Sequence, residues 1–200
     1  MPGLPYVRLA RPADLPALSE VCLRTADAGQ DATALYSDPD YPGLVWSAPY
    51  VEFEPAHCFV LDVDGVAAGF VVGAPDTLAY ETRLDREWWP PLRRRYAGQQ
   101  ASAELDYRVL DFIASPKRSA AEILERYPAH LHINVLPRFQ SGGWGRKLIE
   151  AELDSLRDAG APAVHLGVSP VNHRAIGFYA HMGFEPIVGP GEGILLGKAL

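Results

Sequence analysis

The sequence predicts an α/β (α+β) fold: a mixed, mainly antiparallel central sheet flanked by helices, with a helical insertion before the fourth strand. Three observations lead there. Apolar runs of strand length alternate with segments of helical period, an Asp-Gly pair joins two apolar runs, and a glycine-punctuated turn links one strand directly to an amphipathic helix. With 200 residues, 48% of them hydrophobic, the chain can bury one sizeable core, so one domain over 1–200 is expected.

Tyr6 to Ala10 is the first strand, and Asp14 stands where a helix with Leu18, Val21 and Cys22 on one face would be capped. Residues 26–50 carry Asp27, Gly29, Asp31, Tyr36, Tyr41 and Tyr50 among prolines, and are expected to be an irregular connection with a short helical piece. His57–Asp62 and Val66–Val72 flank Asp64-Gly65, a pair whose tolerance of positive φ suits a type I′ hairpin turn. Residues 76–128 contain Trp88-Trp89-Pro90-Pro91, Leu92–Tyr96 and Ser119–Arg126. A structureless loop of that length is rare in a compact domain, so two or three short helices are expected, roofing one side of the sheet. Glu192–Leu200, with Ile194-Leu195-Leu196, is expected to close the sheet.

Leu131 to Lys147 places a strand, a proline and a glycine turn ahead of a helix, and Val135, Pro137, Gln140, Gly143 and Gly145 give V-x-P-x-x-Q-x-x-G-x-G. Glycines without Cβ let backbone N–H groups approach an anion, and the helix N-terminus adds its positive dipole end. Leu148 stands where a dinucleotide fingerprint needs a third glycine, and Arg146 where a Walker loop needs lysine. A second motif follows. After the short strand Val164–Val168, Asn172 and Gly183 bracket a helix on which Asn172 and Tyr179 share a face, about two turns apart.

With both motifs in this order the chain resembles the GNAT superfamily of N-acetyltransferases, strongly over about 130–188. The long insertion and the terminal Ile-Leu-Leu-Gly-Lys-Ala-Leu also resemble the acetyltransferase-like domain at the C-terminal end of O-GlcNAc hydrolases and its stand-alone bacterial relatives. The animal versions depart from the coenzyme motif, whereas Gln140, Gly143 and Gly145 stand intact here.

The resemblance implies that acetyl-CoA, as donor cosubstrate, lies against Leu131, Ile133, Asn134, Val135, Leu136, Pro137, Arg138, Gln140, Ser141, Gly142, Gly143, Trp144, Gly145 and Arg146. From the second motif it adds Asn172, Ala175, Phe178 and Tyr179. It implies direct attack by an amine, a backbone N–H at Val135 for the oxyanion, and Tyr179 as the acid that protonates the departing thiolate. A phenol with a pKa near 10 is protonated at neutral pH and can serve that role. Relatives carry a basic Glu or His four or six residues before the Val135 position, but Leu131 and Ala129 stand there. Strand alternation turns His132 to the other face, as a packing histidine. Asp76 is then the nearest candidate base, with Asp27 as its rival and a water chain as a further route. Asp27, Trp88 and Trp89 are candidate acceptor-binding residues, the indoles as a wall for a cation or a sugar face.

A net charge of −7 disfavours nucleic acid and leaves a cationic acceptor open. Cys22 and Cys58 lie in apolar segments without metal-ligand spacing, so no metal is expected. No apolar run reaches the roughly 18 residues of a membrane span, and Met-Pro-Gly-Leu-Pro-Tyr has no signal-peptide character. The expectation is a cytoplasmic acetyltransferase, monomeric or homodimeric, acting on a small-molecule or peptide amine without nucleic acid or membrane partners. The rival is a coenzyme-binding or interaction module with little or no transferase activity.

Overall fold

The structure, a computed structural model, describes residues 3–187 and 193–200; Glu192, expected to begin the last strand, lies outside them. Among the described residues seven strands form one sheet: β1 (Tyr6–Leu9), β2 (Cys58–Val63), β3 (Val66–Ala74), β4 (Ala129–Val135), β5 (Ala163–Val168), β6 (Glu185–Ile187) and β7 (Ile194–Ala199). Their order is β1-β2-β3-β4-β5-β7-β6, with every neighbouring pair antiparallel except β4 and β5. The β2–β3 turn carries positive φ at Asp64 (52°) and Gly65 (86°), as a type I′ turn requires.

The β4–β5 pair positions the site. β3 pairs with β4 from Ala74↔His130 through Gly69↔Val135, whereas β4 meets β5 only at Ala129↔Val164 and His130↔His165. Beyond His130 the two strands diverge and leave a gap in the middle of the sheet. Leu136 N–H bonds Ala68 O on β3. By strand alternation, Val135 therefore turns its own N–H toward the gap.

Each face of the sheet has its own core. One holds Leu61, Val71, Leu131, Val135 and Val164 against Leu148, Ile149 and Leu156 of α8 (Trp144–Asp158), with α9 (His173–His181) alongside. Leu148, Ile149 and Leu156 are fully buried, each contributing roughly 1.5–3 kcal/mol by leaving water. The other core holds Phe70, Val72 and Val60 against α1 (Leu15–Leu23), α2 (Tyr41–Trp46) and α3 (Ala48–Phe53).

Between β3 and β4 the chain forms four helices: α4 (Thr77–Glu87), α5 (Trp89–Arg95), α6 (Asp106–Ala114) and α7 (Ala121–Leu124). This is one more than the two or three expected, and residues 26–50 are likewise more helical than expected. Proline at the first turn of α2, α3 and α5 explains why a proline-rich stretch can still be helical: there the missing N–H has no intrahelical acceptor to lose. Asp106 ties the early connection to the insertion, accepting from Ser37 N (2.9 Å) and Ser37 Oγ (2.7 Å). Asp14 differs from its expected role as a helix cap. Its carboxylate is taken instead by Arg8 (2.7 and 2.8 Å) and by the Arg11 N–H (2.8 Å), which hold its pKa below the usual carboxylate value. Among the described residues no helix is long and apolar enough to cross a membrane.

Candidate active site

The glycine turn is built and braced by named contacts. The Gln140 side-chain amide donates to Val135 O (2.8 Å), folding the turn back on the end of β4. Its oxygen accepts from Arg174 on α9 (2.6 Å), and Arg174 also reaches Ser141 Oγ (3.2 Å). Arg174 therefore links the two motifs, and it lines the cavity between them. It was absent from the expected set, although its position two residues after Asn172 was the available signal. Gly143, the N-cap of α8, has φ 76°, a left-handed conformation that side chains strain to adopt. Gly145 faces the Phe178 ring of α9, which a Cβ there would meet at 3.4 Å, an ordinary van der Waals contact. The N–H groups of Trp144, Gly145 and Arg146 have no acceptor inside the helix and are available to an anion.

On α9 the Asn172 carboxamide is committed to capping, accepting from Ala175 N (3.1 Å). Two turns on, Tyr179 is 8% exposed, and burial raises its pKa, so the phenol is protonated across the physiological range. A cavity of about 640 Å³ runs from Gly143, Gly145 and Arg146 past the β4–β5 gap to Tyr179, closed on the far side by residues 25–30. There Asp27 and Gln30 exchange backbone bonds (3.2 and 2.8 Å) around Ala28 (φ 48°) and Gly29 (φ 92°), making a second turn with two positive φ values.

This cavity collects Ile133, Asn134, Val135, Gln140, Gly143, Gly145, Arg146, Asn172, Ala175, Phe178 and Tyr179, and Asp27 from the acceptor-side candidates. Leu136, Pro137, Arg138, Ser141, Gly142 and Trp144 do not line it, and Leu131 lines a second cavity instead. The reasons are local. The guanidinium of Arg138 lies over Phe139 (4.9 Å) and that residue is exposed, while the Trp144 indole carries the Lys147 ammonium (4.1 Å) and packs against the α8-side core.

The second cavity, of about 340 Å³, lies on the α1–α6 side of the sheet and is lined by Tyr50, Tyr80, Trp89, His130, His132 and His165 among others. Of the two expected indoles only Trp89 lines it. Trp88 donates to Leu44 O (3.0 Å) and packs edge-on to Phe53, anchoring the insertion. Asp76 lines neither cavity: its carboxylate caps α4, accepting from Ala79 N (2.9 Å), and the residue is exposed. The strand register sets Gly73 beside Leu131, two residues further along β4 than Ala129, and the helix start after β3 turns Asp76 away. His132, expected only to pack, lines both cavities.

The profile of the acetyltransferase (GNAT) family matches residues 25–184, and the chain belongs to that family. It is an acetyltransferase of the class that moves acetyl to an amine. The crystal structure of SsHAT is 36% identical, with 98% of each chain covered and a TM-score of 0.85. The structure of yncA, a putative acetyltransferase from Salmonella typhimurium with its cofactor acetyl-CoA, shares the fold at 17% identity over 98% of this chain and 93% of that one, with a TM-score of 0.57. Protein O-GlcNAcase of Rattus norvegicus is 20% identical over 94% of this chain, which spans only about a fifth (21%) of that protein's length.

Proposed function

We propose that the protein transfers acetyl from acetyl-CoA to the primary amine of a small-molecule or peptide acceptor by direct attack, working as one domain over 1–200 with 76–128 inserted before β4. The observation that carries this is the continuous cavity joining the N-terminus of α8, the β4–β5 gap and Tyr179. In this reading the diphosphate sits on the N–H groups of Trp144, Gly145 and Arg146, with Arg174 beside it. The pantetheine arm pairs with the open edge of β4 as an added strand would.

The thioester carbonyl then lies at the end of β4, where the Val135 N–H stabilises the oxyanion that forms on attack. Tyr179, kept protonated by burial, gives its proton to the departing thiolate. Asp76, an exposed helix cap, takes no part. Release of free coenzyme A thiol, followed continuously with acetyl-CoA and a panel of amines, tests the reading. Thiol release that needs both the amine and Tyr179 supports it, and coenzyme binding without release under any amine contradicts it.

A further inference from the structure

Trp46, His132 and Gly167 line both cavities, so they form the wall between the two. If the larger cavity holds the thioester, as proposed above, the smaller one opens onto the carbonyl carbon from the opposite side. Its volume of about 340 Å³ lies at the lower end of the roughly 300–1,000 Å³ range of small-molecule sites. Its walls are aromatic: Tyr50 stacks on Tyr80 at 4.8 Å, and Trp89 meets Phe112 edge-on at 5.6 Å. At the rim, Arg118 pairs with Glu81 (3.6 Å) and with Asp85, strapping the segment before α7 to α4.

The three histidines of this cavity are not equivalent. Thr77 gives its hydroxyl proton to Pro128 O (2.7 Å), so His130 Nδ1, 2.8 Å away, must be the donor to Thr77, and its Nε2 then accepts from Tyr50 OH (2.9 Å). Both His130 nitrogens are committed, and burial lowers its pKa to about 3. His165 Nδ1 is committed to Tyr127 O (2.8 Å). His132 stands at the shared wall with Asn134 beside it on the same strand face. The Asn134 amide nitrogen is held by the Thr25 hydroxyl, while its Oδ1 is buried with no partner among the described residues.

We propose that the smaller cavity receives a small primary amine carried on an aromatic or alicyclic body, and that His132 takes the ammonium proton. Burial lowers the His132 pKa to about 4, against the opposing effect of Asn134, so the ring is neutral and able to accept. The free Asn134 oxygen is then available to the imidazolium N–H. An ammonium enclosed by aromatic walls also loses hydration, which lowers its own pKa and narrows the gap the proton must cross. The neutral amine attacks the carbonyl carbon, forming C–N, and collapse breaks C–S. Tyr179 protonates the thiolate, the amide nitrogen returns its surplus proton to Tyr179, and His132 releases its proton to solvent.

The titratable and charged groups lining the smaller cavity beside His132 are His130, His165, Tyr50, Tyr80, Glu81, Asp85, Lys117 and Arg118, with Cys22, Asp27, Arg108, Arg146, Arg174, Tyr179 and His181 on the coenzyme side. The test compares wild type with His132→Gln and His132→Ala, using 2-phenylethylamine and a lysine-containing hexapeptide as acceptors. Acetyl-CoA affinity serves as the control for folding. We expect turnover of the arylalkylamine at least tenfold better in kcat/KM than the peptide. Both variants should lose kcat by about 10²–10⁴-fold with coenzyme affinity unchanged. His132→Ala should regain rate with added imidazole or as pH rises toward the pKa of the amine. Preference for the peptide overturns the acceptor assignment, and unchanged kcat in both variants overturns the role of His132. Absence of thiol release by wild type with both probes and with every other amine, despite coenzyme binding, removes the transferase reading itself and this inference with it.

Discussion

Glu152 sits on the inner face of α8, the helix whose N-terminus forms the anion cradle, and is 0% exposed. Neither carboxyl oxygen has a hydrogen-bond partner among the described residues. The space exists because residue 73 is glycine, as a Cβ there would collide with the Glu152 carboxyl group. Burial first, and the charge of Glu54 second, push the Glu152 pKa from 4.5 up to about 9. The folded protein therefore keeps this proton through neutrality, whereas the unfolded chain releases it above about pH 4.5. The stability contributed by the protonated form is complete below pH 4.5 and is lost as pH rises toward 9, at about 1.4 kcal/mol per pH unit for this one group. At pH 7 the loss amounts to roughly 3 kcal/mol, a large share of the 5–15 kcal/mol typical of a folded domain. Glu152→Gln preserves shape and neutrality and removes the titration. Urea unfolding of both proteins from pH 4 to pH 8 should give near-coincident stabilities at pH 4 and a gap in favour of the glutamine variant that widens to about 3 kcal/mol at neutral pH. A gap of equal size at pH 4 and pH 8 would refute the claim that the carboxyl group is buried and neutral.

Tyr179→Phe should lower kcat by about 10²–10⁴-fold while leaving acetyl-CoA affinity within twofold, measured by steady-state thiol release and calorimetry. Arg174→Ala removes the brace on Gln140 and Ser141 together with a cation at the cradle; coenzyme affinity should fall about tenfold, with a weaker dependence on salt than in wild type. Asp76→Ala should cost about 1 kcal/mol of stability through the lost α4 cap and leave kcat unchanged, whereas Asp76→Asn should be nearly neutral in both.

What could be read from the chain in advance was what short segments determine locally. Asp64-Gly65 specifies its turn, Gly143 the glycine turn ahead of α8, and Asn172 the start of α9, because each depends on the backbone preferences of one or two residues. Strand alternation also placed His132 opposite Val135 correctly. Its function was missed because alternation gives the parity of a side chain without saying which face of the sheet carries a cavity. That depends on where β4 and β5 part and on how α2 to α6 roof the sheet, both set by contacts between residues far apart in sequence. Asp76 illustrates the converse. β3 ends at Ala74, two residues before it, yet a helix begins directly after Asp76, and the unsatisfied N–H groups of that helix claim the carboxylate. Arg174 escaped notice because its partners, Gln140 and Ser141, are brought to it only by the packing of α9 beside α8.

In the proposed function, exposed main-chain N–H groups after Gly143 grip the coenzyme diphosphate. Calorimetric titration of acetyl-CoA into the wild-type protein and into Gly143→Val, with unfolding curves to confirm that both are folded, tests it most directly. Saturable binding by wild type and an affinity at least tenfold weaker in the variant are expected, since valine cannot adopt the φ of 76° without distorting the turn. No binding by the wild type, or equal binding by the two proteins, would contradict it.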